Sequence, residues 1–146
     1  MTNGDVELCT VEEAIEELGM GRRVRFLGHV TPEELKALYR LARFVVVPSL
    51  FEGGGSAVMF EALAEGAALA CSDIPTVPEG VRDAALLFDP QSVDSIADTL
   101  RRLASDDVLV QELRTASVER SGMYSLRAAA ERFVRIYEEA ESHRLH

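Results

Sequence analysis

The chain has 146 residues, of which 47% are apolar and 27% are charged, a balance typical of one globular domain and not of a disordered chain. Twenty-five acidic residues against fifteen basic ones give a formal charge of −10, which argues against nucleic acid as a partner. No apolar run is long enough to span a bilayer, and residues 1–5 lack the features of a signal peptide, so a cytoplasmic location is expected.

Short β-branched runs alternate along the chain with longer amphipathic stretches. Residues 5–9 fit either a short edge strand or a disordered lead. The elements that follow are predicted as a helix over 10–18, a strand over 23–27, a helix over 31–42, a strand over 44–47, a helix over 57–65, strands over 67–71 and 85–88, and helices over 92–104, 107–121 and 125–140.

Local signals support these boundaries. Thr10–Glu13 has the pattern of a capping box, and Gly19 or Gly21 can end the helix that it begins. Pro32 after Thr31 marks the next helix start. Residues 74–79 form a Pro-punctuated loop. Strands spaced by helices predict an α/β fold with right-handed crossovers, in which a parallel sheet has helices on both faces.

The strand end with the most features of a ligand-binding site follows Phe44–Val47, an apolar run typical of a strand that is buried on both faces. Residues 48–56 hold three consecutive glycines and lead directly into a helix that Ser56 can cap. Open α/β sheets bind ligands at such carboxyl ends, and backbone amides at a helix start attract phosphate. The loop is therefore either a diphosphate cradle or only a tight turn. It matches neither the P-loop nor the dinucleotide fingerprint.

Two carboxylates flank the glycines. Glu52 precedes them, and Glu61 lies on the following helix among apolar neighbours, which predicts largely buried surroundings. A carboxylate in a cleft can accept hydrogen bonds from a pair of sugar hydroxyls. A solvated helix face and a nearby backbone amide remain the alternatives for Glu61.

Metal chemistry and disulfide chemistry find little support in the sequence. Cys9 and Cys71 have no ligand-type residues near them at metal-binding spacing, and Cys71 sits in an apolar run typical of a buried small side chain. No strand ends in paired acidic residues that could hold Mg²⁺, which argues against a response-regulator-like module.

Six short motifs follow one another along the chain: Val24–Val30, Thr31–Tyr39, Val47–Gly53, Phe60–Gly66, Val77–Gly80 and Ala84–Pro90. In this order they resemble the retaining glycosyltransferases of the GT-B fold, especially family 4. The resemblance runs from about residue 22 to residue 140. It implies a single Rossmann-like domain over 22–146, the C-terminal, donor-binding half of a GT-B enzyme, after a poorly matched leader and first helix over 1–21.

The resemblance also implies roles for individual residues. Glu52 would face the donor sugar or its phosphate, and Glu61 would hold the ribose hydroxyls. Amides from Gly53, Gly54, Gly55, Ser56, Ala57 and Val58 would meet the sugar and diphosphate. The base pocket would be lined by Phe26, Leu27, Gly28, Val30, Pro48 and Ser49. No metal or other cofactor is implied, and the substrate would be a UDP-, GDP- or ADP-linked sugar.

The sequence departs from the family pattern in three ways. Eight residues separate Glu52 from Glu61 where the family has seven, so the glycine loop holds one extra residue. The opening strand and its Arg/Lys pair find no match in residues 1–21, and Arg22 and Arg23 come too late. The acceptor-binding N-terminal domain is also missing from this chain, which is therefore expected to be incomplete as an enzyme.

The leading hypothesis is the donor-binding domain of a glycosyltransferase that transfers a sugar from a nucleotide sugar with retention of configuration. A non-catalytic nucleotide-sugar-binding or oligomerisation fragment, a fragment that folds but binds nothing, and a sugar-nucleotide epimerase are the alternatives. If the first strand is missing, the exposed sheet edge or the last helix would favour a homo-oligomer.

Overall fold

The computed structural model describes residues 11–53 and 56–144, with the side chains of residue 126 and of residues 142–144 left out of the description. The chain divides into two compact units, Met1–Thr31 and Pro32–His146. The two possibilities for residues 5–9 and the predicted cap at Thr10 lie outside the described residues.

The described part of the first unit contains one helix, α1 (Val11–Glu17). It ends at Gly19, whose φ of 64° is favourable only for glycine, and the amides of Gly19 and Met20 close the last turn on carbonyls three and five residues earlier. The predicted strand over 23–27 is wrong, because these residues form turn and irregular structure. The alternating apolar side chains of this segment do not pack into a core, since Phe26 is 60% exposed, and no described strand pairs with the segment.

The second unit follows the predicted order of elements closely. It consists of α2 (Pro32–Leu41), β1 (Val45–Val47), α3 (Ala57–Ala64), β2 (Leu69–Ser72), α4 (Glu79–Arg82), β3 (Ala85–Phe88), α5 (Val93–Ser105), α6 (Asp107–Ser121), a 3-10 turn (Gly122–Tyr124) and α7 (Leu126–Arg144). The short helix α4 is not predicted from the sequence. Its four residues lie after Pro78, which stands at the N-cap, and they are too few to show a helical period.

The three strands form a parallel sheet in the order β1-β2-β3. In the register, Leu69 of β2 stands opposite Val45 of β1 and Ala85 of β3. All four residues of β2 are buried, and they alternate between two cores. Leu69 and Cys71 face a core shared with α2, α3 and α4, whereas Ala70 faces one shared with α5 and α6. The predicted α/β fold with helices on both faces of a parallel sheet is confirmed.

Side-chain caps explain why the helices begin where the sequence predicts. Ser56, Ser92 and Ser125 each accept a hydrogen bond from an amide in the first turn of the helix that follows, at 3.1–3.2 Å. Asp106 does the same for α6 at 2.9 Å. These contacts satisfy donors that a helix start leaves without an intrahelical partner.

Helix α6 holds the turn between α3 and β2 from outside. The Ser117 hydroxyl donates to the carbonyl of Ala67 at 2.7 Å, and both residues are fully buried. Gly66 ends α3 with a φ of 67°, and a Cβ at this position would stand 3.1 Å from the side chain of Val118. The turn is therefore confined both by its backbone conformation and by its neighbour.

The 3-10 turn between α6 and α7 contributes an aromatic contact. The ring of Tyr124 packs against that of Phe60 on α3, with centroids 4.8 Å apart. Its hydroxyl end lies directly over Gly80 of α4, where a Cβ would overlap it. One side chain thus contacts two helices that lie on the same side of the sheet as the first core.

None of the helices in the described part of the chain is long and apolar enough to cross a membrane.

Candidate functional site

The segment after β1 occupies the carboxyl end of the sheet, as the sequence analysis expects. Leu50 and Phe51 are 70% and 79% exposed, while Glu52 is half-buried. Among the described residues, no heavy atom lies within 4 Å of the position that a Cβ on Gly53 would take, and Gly53 does not have a positive φ. Neither packing nor backbone strain therefore requires glycine at 53. Gly54 and Gly55 lie outside the described residues.

The start of α3 comes directly after this loop. Ser56 takes an extended conformation and its hydroxyl accepts a hydrogen bond from the amide of Val58 at 3.2 Å. This bond occupies one of the amides that the resemblance assigns to the diphosphate. Ala57 and Val58 are exposed, so the positive end of the helix dipole faces the surface.

Glu61 lies in the second turn of α3, on the side of the helix that faces α2. The expectation of largely buried surroundings is wrong, because Glu61 is exposed. The apolar neighbours Ala62 and Leu63, at 0% and 1% exposure, turn towards the sheet and leave the carboxylate outside. Of the two alternatives for Glu61, the exposed position agrees with a solvated helix face, and the hydrogen-bond donor is a side-chain hydroxyl and not a backbone amide.

That hydroxyl belongs to Tyr39 of α2, which donates to Oε2 of Glu61 at 3.1 Å. Burial, and then the hydrogen bond to Glu61 and its negative charge, raise the pKa of Tyr39 to about 12. The phenol therefore stays protonated at neutral pH. Tyr39 is a functional candidate that the sequence analysis misses, because nothing in the sequence shows that its hydroxyl has a partner.

A small cavity opens beside this pair. Its volume is about 180 Å³, and it lies between α2 and α3. The residues that line it are Pro32, Leu35, Lys36, Tyr39, Glu61, Ala64 and Glu65. Glu65 also forms an ion pair with Arg40 at 2.6 Å, so one wall of the cavity is tied to α2 by charge.

The carboxyl ends of β1 and β2 add a second cluster of polar contacts. Ser72 donates a long hydrogen bond of 3.5 Å to the carbonyl of Val47. Arg82 pairs with Asp73 at 2.5 Å and also donates to the carbonyl of Ile74. The guanidinium of Arg82 thus already has a carboxylate and a carbonyl as partners. Sequence reasoning does not identify Arg82, because α4 itself is not predicted.

The residues assigned to the base pocket fall in both units. Phe26 and Leu27 are 60% and 51% exposed in the first unit, where Gly28 has a φ of 64° and Val30 is half-buried. Pro48 and Ser49 follow β1 in the second unit and are exposed and half-buried, respectively. Within residues 11–53 and 56–144 no group of three or more His, Cys, Asp or Glu side chains could hold a metal ion.

Comparison with known proteins identifies the family. The family model described as "Glycosyl transferases group 1" matches residues 4–121. The chain belongs to this family. The match of the group 1 glycosyl transferase model includes residues 4–21, which the sequence analysis leaves outside the resemblance.

Curated group 1 relatives cover different parts of the chain. The D-inositol 3-phosphate glycosyltransferase of Corynebacterium diphtheriae is 37% identical over 137 residues, covering 90% of this chain and 32% of that protein. The O-antigen chain mannosyltransferase B of Escherichia coli is 40% identical over 84 residues, covering 58% of this chain and 22% of that protein. The chain thus spans about a third or less of the length of these relatives.

Solved structures match the group 1 domain as well. Sucrose-phosphate synthase from Thermosynechococcus elongatus superimposes with a TM-score of 0.79 at 27% identity, covering 90% of this chain and 34% of that one. The C-terminal domain of a glycosyl transferase group 1 family protein from Francisella tularensis matches with a TM-score of 0.67 at 26% identity, covering 77% and 59% of the two chains. The Rossmann-like α/β architecture is therefore shared with enzymes of the GT-B type.

Proposed function

We propose that this group 1 domain binds the nucleotide-sugar donor of a retaining, family 4 glycosyltransferase. The observation that carries the proposal is the order of features after β1, where Gly53 has open space around its Cα and Ser56 caps the start of α3. Glu61 follows one turn later. A helix start favours phosphate, and a carboxylate favours a diol, so the two ends of a nucleoside diphosphate find complementary groups along one segment.

The environment of Gly53 supports a close approach of ligand to this loop. Since no packing contact or positive φ demands glycine there, the missing side chain leaves room over the backbone. A diphosphate could then meet the loop amides directly. The chain is strongly acidic overall, so such amides and the helix dipole would supply the positive potential that the net charge does not.

We place the domain in the C-terminal half of a GT-B enzyme. The match to a solved C-terminal domain of the same family supports this placement. Sugar transfer itself would then require an acceptor-binding domain, because the reaction takes place where donor and acceptor meet. The substrate would be a UDP-, GDP- or ADP-linked sugar, and no metal or further cofactor enters the proposal.

The test is ligand-observed NMR and calorimetry on the chain with UDP, GDP, ADP and their common sugar conjugates. One nucleotide class should bind, and Glu61→Ala should weaken it about tenfold or more, because a hydrogen bond to a charged group contributes about 1.5–3 kcal/mol. Glu52→Gln should weaken the intact donor more than the bare nucleoside diphosphate.

Glu112→Ala, which removes an exposed carboxylate on α6, is the matched control and should leave affinity unchanged. If a folded sample gives no binding signal with any nucleotide of the panel, donor binding by this chain is refuted. Equal losses for donor and nucleoside diphosphate in Glu52→Gln would refute the sugar-facing role of Glu52.

A second role, association of two copies through α7, is favoured by the exposed face of that helix. Phe133, Ile136 and Tyr137 are 60%, 56% and 69% exposed. Charge is also unevenly distributed along α7. Basic residues outnumber acidic ones in its first half (Arg127, Glu131, Arg132, Arg135), and acidic residues outnumber basic ones in its second half (Glu138, Glu139, Glu141, Arg144). Two antiparallel copies would bury the apolar face and bring opposite charges together.

Sedimentation velocity tests this association. The wild-type chain should form dimers at micromolar concentrations, and Ile136→Glu should shift it to monomers. Val93→Glu, a change at an 80% exposed site on α5, is the control that should leave the dimer intact. A wild-type chain that stays monomeric at a hundred times that concentration would refute the proposal.

A further inference from the structure

The hydrogen bond between Tyr39 and Glu61 joins a buried side chain to an exposed one. Tyr39 is only 6% exposed and belongs to the first core, whereas the carboxylate that it contacts lies at the rim of the cavity between α2 and α3. The two residues are 22 positions apart and come from different helices. The contact therefore depends on the tertiary fold and not on either helix alone.

An exposed glutamate on a helix is normally free to exchange between several rotamers. Holding one rotamer costs side-chain entropy, and this cost falls on ligand binding when the free side chain is mobile. Tyr39 reaches Glu61 from a ring that the core already holds, so its hydroxyl is a fixed donor. A carboxylate accepts several hydrogen bonds, and the bond to Oε2 leaves Oε1 and further lone pairs available.

We propose that Tyr39 is a positioning residue that orients the Glu61 carboxylate towards the vicinal diol of a ribose in the adjoining cavity. The inference rests on the proposed donor-binding function, and it adds to that function a residue that does not itself touch the ligand. The cavity, at about 180 Å³, equals the liquid volume of about six water molecules, which suits one sugar ring and not a whole nucleotide.

Two further charged residues line the cavity beside Glu61. Lys36 lines the same cavity from α2, and Glu65 lines it from the C-cap of α3 while paired with Arg40. A neutral donor such as Tyr39 fixes the Glu61 carboxylate without neutralising it. Hydrogen bonds from sugar hydroxyls to a carboxylate are charge-assisted and therefore stronger than those between neutral groups.

The experiment compares a nucleoside diphosphate with its 2′,3′-dideoxy analogue, using the base that the wild-type chain binds. The wild-type chain should prefer the ribose form. Tyr39→Phe should reduce this preference about fivefold, the effect of one hydrogen bond of about 1 kcal/mol, because the ring still packs but no longer orients Glu61. Glu61→Ala should abolish the preference, and adding Tyr39→Phe to it should have no further effect. Ser105→Ala, which removes an exposed hydroxyl on α5, is the control.

A spectroscopic readout tests the contact without ligand and without relying on the folding of Tyr39→Phe. In protein labelled with ¹³C at tyrosine Cζ, Glu61→Gln should move the Tyr39 resonance at neutral pH and leave that of Tyr137 in place. Adding the ribose nucleotide to the wild-type chain should also move the Tyr39 resonance, whereas the dideoxy analogue should not.

The outcomes separate the two proposals. If the wild-type chain prefers ribose and Tyr39→Phe keeps the full preference, Tyr39 only packs, and the positioning role is overturned while donor binding stands. An unmoved Tyr39 resonance in Glu61→Gln overturns the positioning role in the same way. If no nucleotide binds to the folded wild-type chain, donor binding fails and the positioning role fails with it.

Discussion

The buried hydrogen bond from Ser117 to Ala67 offers a direct test of how α6 stabilises the turn that leads into the central strand, β2. Ser117→Ala deletes a donor that is 2.7 Å from a carbonyl in a region with no solvent exposure. Leaving a buried acceptor without its partner costs about 1–3 kcal/mol. Alanine has the higher helix propensity, which returns about 0.5 kcal/mol. The net loss in the free energy of unfolding should be about 1.5 kcal/mol.

Urea unfolding followed by circular dichroism measures this loss, and the melting temperature should fall by about 6 °C for a domain of this size. Ser105→Ala is the matched control, because its hydroxyl donates to the carbonyl of Arg101 at 2.8 Å but is exposed. Water replaces that bond, so the control should stay within about 0.5 kcal/mol of the wild type. Equal effects of the two substitutions would refute the reasoning, since burial would then make no difference.

Three further predictions concern single residues. Cys71 is fully buried and burial raises its pKa to about 11, so in a Cys9→Ser background its reaction with a thiol reagent should be no faster than unfolding; rapid labelling of folded protein would contradict this. Gly66→Ala should destabilise the fold by about 1–3 kcal/mol through its positive φ and the contact with Val118, and a melting temperature like that of the wild type would argue against strain there. The pKa of Tyr39 is about 12 in the native protein, whereas that of an unfolded tyrosine is near 10. The free energy of unfolding should therefore fall by up to about 3 kcal/mol as pH rises from 10 to 12. Denaturant titrations should show that Tyr39→Phe removes this part of the pH dependence.

Much of the fold could be predicted because its boundaries are set by local chemistry. Ser56, Ser92 and Ser125 cap helices within their own first turns, and Gly19 and Gly66 end helices through their own φ angles. Such signals are complete within four or five residues of sequence. The apolar run before Pro48 likewise marks a strand of the parallel sheet, but the expectation that it is buried on both faces is wrong, because only Val47 of β1 is buried and β1 stands at one end of the described strand order.

The errors arise where structure depends on distant partners. Residues 23–27 alternate like a strand, but a strand also needs a neighbour that accepts its hydrogen bonds, and alternation does not reveal one. α4 is too short to show a period. Its single turn is built around Pro78 and Gly80, residues that usually indicate a loop.

The candidate site divides in the same way. The position of the glycine loop and of Glu61 follows from local sequence, and the structure places both at the expected elements. The exposure of Glu61 does not follow, because the residues beside it in sequence point elsewhere on the helix. Its bond to Tyr39 joins residues 22 positions apart, and a tyrosine on an apolar stripe shows no sign that its hydroxyl has a partner.

The position of Tyr124 limits how the end of the chain can move. Its ring lies over Gly80 and against Phe60, the residue that immediately precedes Glu61. Tyr124 stands two residues before α7 begins, with the extended Ser125 between them. A movement of α7 that displaced Tyr124 would withdraw its ring from both contacts, so this one side chain couples the start of α7 to the helix that carries the candidate site.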